Sequence, residues 1–271
     1  MKRFMRRGGS GQDESTSHTD ENARVKDLRT ALEPLSERDG HYATDACLRR
    51  YLRARSWNVK KAEKMLRDTL AWRASYKPED IRWEDVAKEA ETGKVYRAAT
   101  VDKQGRSVLV MRPAKQNTTS REGQVKQLVY SMENAIANLP EDQEEMIWLV
   151  DFKNWSMTKP ISIKTTQDAA HVLQRHYPER LGYGILINPP HIFETFWQVV
   201  KPFLDAKTAR KVKFVYTNDP ASMQLVNELF DAGQLEELLK EDNFNLEEYS
   251  KQMRQDDYKF HFHRKLADAS V

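Results

Sequence analysis

The chain has 271 residues, 44 Lys and Arg against 41 Asp and Glu for a net charge of +3, and 39% hydrophobic residues. It is long enough to bury a sizeable core in one or two domains, and its charge balance argues against a nucleic-acid protein. A mean hydropathy of -0.79 and the lack of any continuous apolar run of about 18 residues exclude a membrane-spanning helix.

Residues 1–22 are Gly, Ser, Thr and charge with hardly an apolar residue after Met5, the composition of a disordered tail. Lys2, Arg3, Phe4, Met5, Arg6 and Arg7 either touch an anionic membrane or form a featureless tail. MKRFMRRGGSGQ lacks the apolar run of a signal peptide and lacks Gly at position 2 for myristoylation, and the final ADASV is no prenylation site. The expectation is a cytoplasmic protein whose membrane contact is peripheral. Helical patterns follow at 25–35, at 44–55 with Thr44 or Asp45 as cap, at 59–76 behind Asn58, and at 83–90 before Gly93; they make a helical N-terminal unit over 23–94. The single cysteine, Cys47, rules out an internal disulfide and reads as a small buried side chain.

From Val95 the period changes. The stretches 96–101 and 107–111 about Asp102-Lys103-Gln104-Gly105 read as a hairpin. Helix and strand then alternate: helix 121–138, strand 146–152, helix 162–177, strand 183–188, helix 191–204, strand 212–216, and helices after Asp219. Alternation of this kind argues for an α/β fold with a mostly parallel sheet over 95–242, flanked by helices, and the doubly apolar run Met146 to Val150 suits its central strand. Residues 243–271 are charged with isolated aromatics, a tail that packs in part and frays.

No phosphate loop, nucleophile elbow or HExxH motif occurs, and His171 and His176, five apart, fall on different helix faces, so neither an enzyme nor a metal site is expected. Asp151, ending the central strand, is a catalytic carboxylate or a loop cap; no nucleophile or second acid stands at a recognisable spacing. Two basic clusters stand out, one from Arg49 to Arg67 and one formed by Lys201, Lys207, Arg210, Lys211 and Lys213. They meet phosphates or are solvated helix faces. In the helix after Pro190, Ile192, Phe193, Phe196, Trp197, Val199, Val200, Phe203 and Leu204 fall on one arc opposite Glu194, Gln198 and Lys201. Such a face either packs as ordinary core or meets lipid.

Six motifs in order carry a resemblance: CLRRYLRARSWNVKKAEKML with Ala71-Trp72-Arg73, DKQGRSV, LVDF, YPER at Tyr177 to Arg180, ILINPP, and KPFLDAKTARKVKF. Over roughly residues 24–239 the chain resembles the CRAL-TRIO lipid-binding family, most closely its compact plant members. The resemblance implies a helical bundle with an α/β lobe enclosing one phospholipid, no other cofactor, and the helix at about 191–204 as a gate whose Phe193, Phe196, Trp197, Val200 and Phe203 touch lipid chains. It also implies that Arg55, Glu179, Thr208 and Lys211 hold a phosphatidylinositol headgroup, with Glu179 orienting Lys211. At the positions that members of the family use for choline stand Met146, Trp148 and Leu109; none has a hydroxyl, which argues against phosphatidylcholine as a second ligand. The family's closing Gly-Gly is replaced by Lys240-Glu241-Asp242 after Leu239. The expected function is binding and intermembrane transfer or presentation of a phosphatidylinositol-type lipid by a monomer that touches anionic membranes transiently. The alternatives are a non-transferring phosphoinositide-sensing adaptor and a small-molecule hydrolase using Asp151 and Glu179.

Overall fold

Short-range caps set most element boundaries. The computed structural model describes residues 11–156, 162–240 and 244–268, with side chains from 19 and up to 260. By its contacts the chain divides into two units, one up to Ser75 and one from Tyr76.

In the first unit, α1 (Gly11–Leu32), α2 (Glu37–Tyr42), α3 (Asp45–Ala54) and α4 (Val59–Tyr76) follow one another. Thr44 Oγ1 accepts from Cys47 N at 3.2 Å and Asn58 Oδ1 from Lys61 N at 3.0 Å, so both expected caps are in place. Leu28, Leu32, Cys47, Leu48, Leu52 and Leu66 form a fully buried core. Where a disordered tail was expected up to residue 22, α1 is helical from Gly11. Val25, Leu28 and Leu32 anchor its C-terminal half, and extending an anchored helix costs little once its nucleus exists, while Asp and Glu near its N-terminus suit the dipole. The basic run Lys2 to Arg7 lies outside the described residues.

The second unit runs α5 (Trp83–Ala90), β1 (Val95–Val101), β2 (Ser107–Met111), α6 (Arg121–Ala137), β3 (Met146–Asp151), α7 (Ile163–His176), β4 (Leu181–Ile187), α8 (His191–Val200), α9 (Ala206–Lys211), β5 (Val212–Val215), α10 (Pro220–Leu229), α11 (Gln234–Leu239) and α12 (Leu246–Asp268). The five strands lie in the order β1-β2-β3-β4-β5, the first pair antiparallel and the rest parallel. This is the expected α/β architecture. Helix α5, read from sequence as part of the N-terminal unit, packs instead on α6 and α12, because Trp83 turns its ring edge-on to Tyr249, 5.6 Å between centroids.

Register assigns the faces. Val108, Val110, Ile147, Leu149 and Ile185 share one face and are fully buried. On the other, the rows Leu109-Trp148-Gly184-Val212 and Met111-Val150-Leu186-Phe214 run side by side. There Trp148, Val150, Val212 and Phe214 are only half-buried.

The C-terminal segment, expected to fray, is a docked helix. Tyr249 and Met253 are buried, and Phe244 lies so close to Gly93 that a Cβ there would sit 2.5 Å from its ring. Asp256 accepts from Arg97 Nη2 at 2.8 Å and Asn134 Nδ2 at 2.9 Å; Asp257 accepts from Trp83 N at 2.7 Å and Tyr130 Oη at 3.0 Å. Alternating charge concealed these inward carboxylates in the sequence.

Candidate functional site

Each parallel strand is entered through a charged residue: Arg106 before β2, Glu145 before β3, Arg180 before β4 and Lys211 before β5. Short α9 is fixed by Asp205, which accepts from Lys207 N and Thr208 N at 2.9 Å each and from Thr208 Oγ1 at 2.6 Å. Burial pushes the Asp205 carboxyl up, but the Thr208 hydroxyl and the two N–H groups outweigh it and hold the group below its ordinary range. Glu179 adopts a left-handed φ of 59°, a conformation that costs free energy outside glycine.

The expected partnership of Glu179 with Lys211 is replaced by two pairs. Lys207 Nζ donates to Glu179 Oε2 at 2.6 Å, and Lys211 Nζ donates to Glu145 Oε1 at 3.0 Å and to the Leu181 carbonyl. Lys207 and Lys211 are one helical turn apart on the same side of α9, so each carboxylate takes the nearer amine. Glu145 also lies 3.7 Å from Arg106, whose guanidinium is paired with Asp102 at 2.6 Å. Glu179, Thr208 and Lys211 therefore share one charged edge at the N-terminal ends of the parallel strands. Arg55 belongs to the first unit, where it caps α3 and donates to the Ala54 carbonyl at 3.0 Å. Sequence reasoning held Lys207 only as a member of a basic cluster and missed Asp205 and Glu145 as structural partners of Lys207 and Lys211. Asp205 carries an N-cap signal in DAKTARK, whereas Glu145 has no local signal.

The apolar part of the site is α8 laid over the half-buried face. Phe193 is buried against Phe152 at 4.5 Å between centroids, Phe196 and Trp197 are half-buried, and Trp197 meets Phe214 edge-on at 6.0 Å. Val200 is buried, whereas Ile192, Val199 and Phe203 are 46%, 45% and 43% exposed. The single arc read from the sequence is thus two surfaces about 90° apart at 100° per residue. One rests on the sheet and the other faces outward. Asn188, at φ 47° before two prolines, starts the segment, and Gln174 of α7 holds its end by donating to the Phe203 carbonyl and accepting from Asp205 N at 2.8 Å.

Met146 and Leu109 are fully buried on this face. Trp148 and Trp155 each bury an indole N–H for which no acceptor stands among the described residues. Asp151 lies 3.9 Å from Arg112 and accepts from Lys153 N at 2.9 Å, the loop-capping role. It pairs with Ile187 at the far end of β4 from Glu179; at about 3.3 Å per residue the strand from Leu181 to Ile187 alone spans roughly 20 Å, too far for the two carboxylates to act on one bond.

Residues 90–240 match the CRAL/TRIO domain and residues 25–68 the CRAL/TRIO, N-terminal domain. The chain belongs to the CRAL-TRIO family. Among its relatives, a CRAL-TRIO domain-containing protein of Schizosaccharomyces pombe is 34% identical over 199 residues, covering 73% of this chain and 19% of that protein. The phosphatidylinositol transfer protein PDR17 of Saccharomyces cerevisiae is 37% identical over 195 residues, covering 67% of this chain and 55% of its own length. The chain thus spans about a fifth of the first and about half of the second. The crystal structure of Sfh5 has the same fold, with a TM-score of 0.63 at 18% identity over 90% of this chain and 92% of that one. The helix α12 lies beyond the family match. Among the described residues no helix is long and apolar enough to cross a membrane.

Proposed function

We propose that this CRAL-TRIO protein binds a phosphatidylinositol-type lipid and carries it between membranes, as a cytoplasmic monomer that touches anionic bilayers transiently. The observation that carries the reading is the pairing of a half-buried apolar face under α8 with a charged edge that holds Glu179, Thr208 and Lys211. At ~0.8 kcal/mol per CH₂, two acyl chains in water would cost on the order of 20 kcal/mol. Only an enclosing site offsets that cost. The chains lie between the sheet and α8, which opens as a gate at the bilayer, where Ile192, Val199 and Phe203 enter the interface.

At the edge, Lys211 gives a charge-assisted bond to the phosphodiester and Glu179 accepts from inositol hydroxyls, with Thr208 as a further donor. Lys207 and Glu145 hold Glu179 and Lys211 in place by ion pairs. The 37% identity to a phosphatidylinositol transfer protein supports this choice of lipid.

Native mass spectrometry of lipid that co-purifies, followed by vesicle-to-vesicle transfer, tests the proposal. Lys211→Ala, and separately Glu179→Ala, should abolish phosphatidylinositol transfer with an unchanged circular dichroism spectrum. Unchanged transfer in both variants would overturn the headgroup assignment, and bound lipid without transfer would favour the sensing adaptor.

A further inference from the structure

Trp148 is the one residue of its row that combines a half-buried ring with an unused polar atom: Leu109 beside it is fully buried, and on its other side Gly184 has no side chain. A Cβ built at Gly184 meets only Val212, at 3.5 Å and 3.9 Å, so room is left over the sheet beside the indole. The row Met111-Val150-Leu186-Phe214 lies two residues further along the strands. The indole N–H is buried, and among the described residues no group accepts from it. Most buried donors are satisfied, and one left without an acceptor weakens the fold unless something else supplies it.

We propose that Trp148 Nε1 is a hydrogen-bond donor to one uncharged oxygen of the lipid held against this face. This inference rests on the lipid-carrying function above and names the chemistry of that ligand: an apolar body with a neutral acceptor, either the ester carbonyl of a glycerolipid or the hydroxyl of a sterol. A phosphate does not fit, because a single neutral N–H among Leu109, Met146, Val150 and Val212 cannot compensate the desolvation of a charged group. The absence of a hydroxyl from this row, which argued against phosphatidylcholine, is therefore only half of the selection. The other half is a positive preference set by the indole.

The indole resonance of Trp148, assigned by its loss in Trp148→Phe, is followed by ¹⁵N NMR while the full chain is loaded from vesicles. One arm uses dioleoyl phosphatidylinositol and its diether analogue; the other uses cholesterol and its deoxy analogue. A downfield shift with the diester but not the diether identifies the ester carbonyl. A shift with cholesterol but not its deoxy analogue identifies the hydroxyl. In either case Trp148→Phe should weaken loading of the responding lipid by about threefold to tenfold, the worth of one neutral hydrogen bond, and leave loading of the analogue that lacks the accepting oxygen unchanged. Loading of dioleoyl phosphatidylinositol or cholesterol with no shift of the Trp148 resonance in either arm would overturn the donor role and leave the lipid-carrying function standing. No loading at all would overturn both.

Discussion

Helices α8 and α12 both bring aromatic rings to the same α/β unit, yet they are fastened by different physics. Rings hold α8: Phe193 lies on Phe152 and Phe214, Trp197 on Phe214 and Phe196 on Phe193, and polar bonds mark its ends, where Tyr216 Oη donates to Glu194 and at Gln174. The helix α12 adds to its rings two carboxylates that each satisfy donors from distant segments. Ring contacts are non-directional, so a lipid chain can replace them at little cost. Hydrogen bonds to a buried carboxylate cannot be exchanged for acyl chains, because every donor left behind is an unsatisfied polar group. One sheet unit thus carries a helix suited to move and a helix suited to stay.

The strongest way to break that contrast is Asp256→Ala. It strands the nearly buried Arg97 guanidinium together with Asn134 and Asn138, at a cost of about 3–5 kcal/mol. Thermal unfolding should begin several degrees lower, with the affinity of the remaining folded fraction for lipid unchanged. A Tm within a degree of the parent would show that α12 is only resting on the unit.

Phe196→Asp comes next. Half-buried Phe196 touches Phe193 at 5.2 Å between centroids, so the charge has an exit to water in the lipid-free state but none against acyl chains, where it costs several kcal/mol. Membrane docking and lipid loading should fall together while the lipid-free melting temperature holds. Global instability without lipid would mean that α8 is ordinary core.

Gln174→Ala removes the two bonds at the end of α8. At about 1 kcal/mol, lipid exchange should quicken roughly fivefold with stability nearly unchanged; an unaltered exchange rate would mean that the hinge lies elsewhere.

The smallest effect concerns pH. Burial pushes the Asp257 carboxyl above its ordinary value, partly opposed by the bonds from Trp83 N and Tyr130. The folded state therefore binds the proton more tightly than the unfolded one, and the stability this contributes is full below about pH 4 and lost as pH rises through the folded value. Asp257→Asn keeps an acceptor for Trp83 N, so the stability difference between parent and variant should shift in favour of the variant as pH rises from 4. A pH-independent difference would contradict the raised value.

What the sequence disclosed was mostly local. Thr44 and Asn58 announce helix starts because a cap and its N–H partners lie within three residues. The strands of the sheet were legible for the same reason, as short apolar runs between turns. The site was legible only in part. Glu179, Thr208 and Lys211 came from the family motifs, but the partner of Lys211 is Glu145, 66 residues earlier, and no periodic pattern reports such a pair. The inward turn of Asp256 and Asp257 was hidden likewise, since on a charged helix an acidic residue that is clamped looks the same as one that is solvated.

The strands stand in the sheet in the order in which the ribosome makes them. Each parallel strand emerging from the exit tunnel finds the edge left by its predecessor, so the sheet grows in one direction without waiting for a later segment. The edge at which it starts is the exception. The Arg97 N–H on β1 is capped by Tyr249 Oη at 3.1 Å, 152 residues downstream. Until α12 leaves the tunnel, a nascent chain carries a strand with open backbone groups, the kind of edge that recruits other chains. A stop codon just after β5 would leave every strand present and that edge uncovered, making aggregation rather than loss of lipid binding the first symptom of truncation.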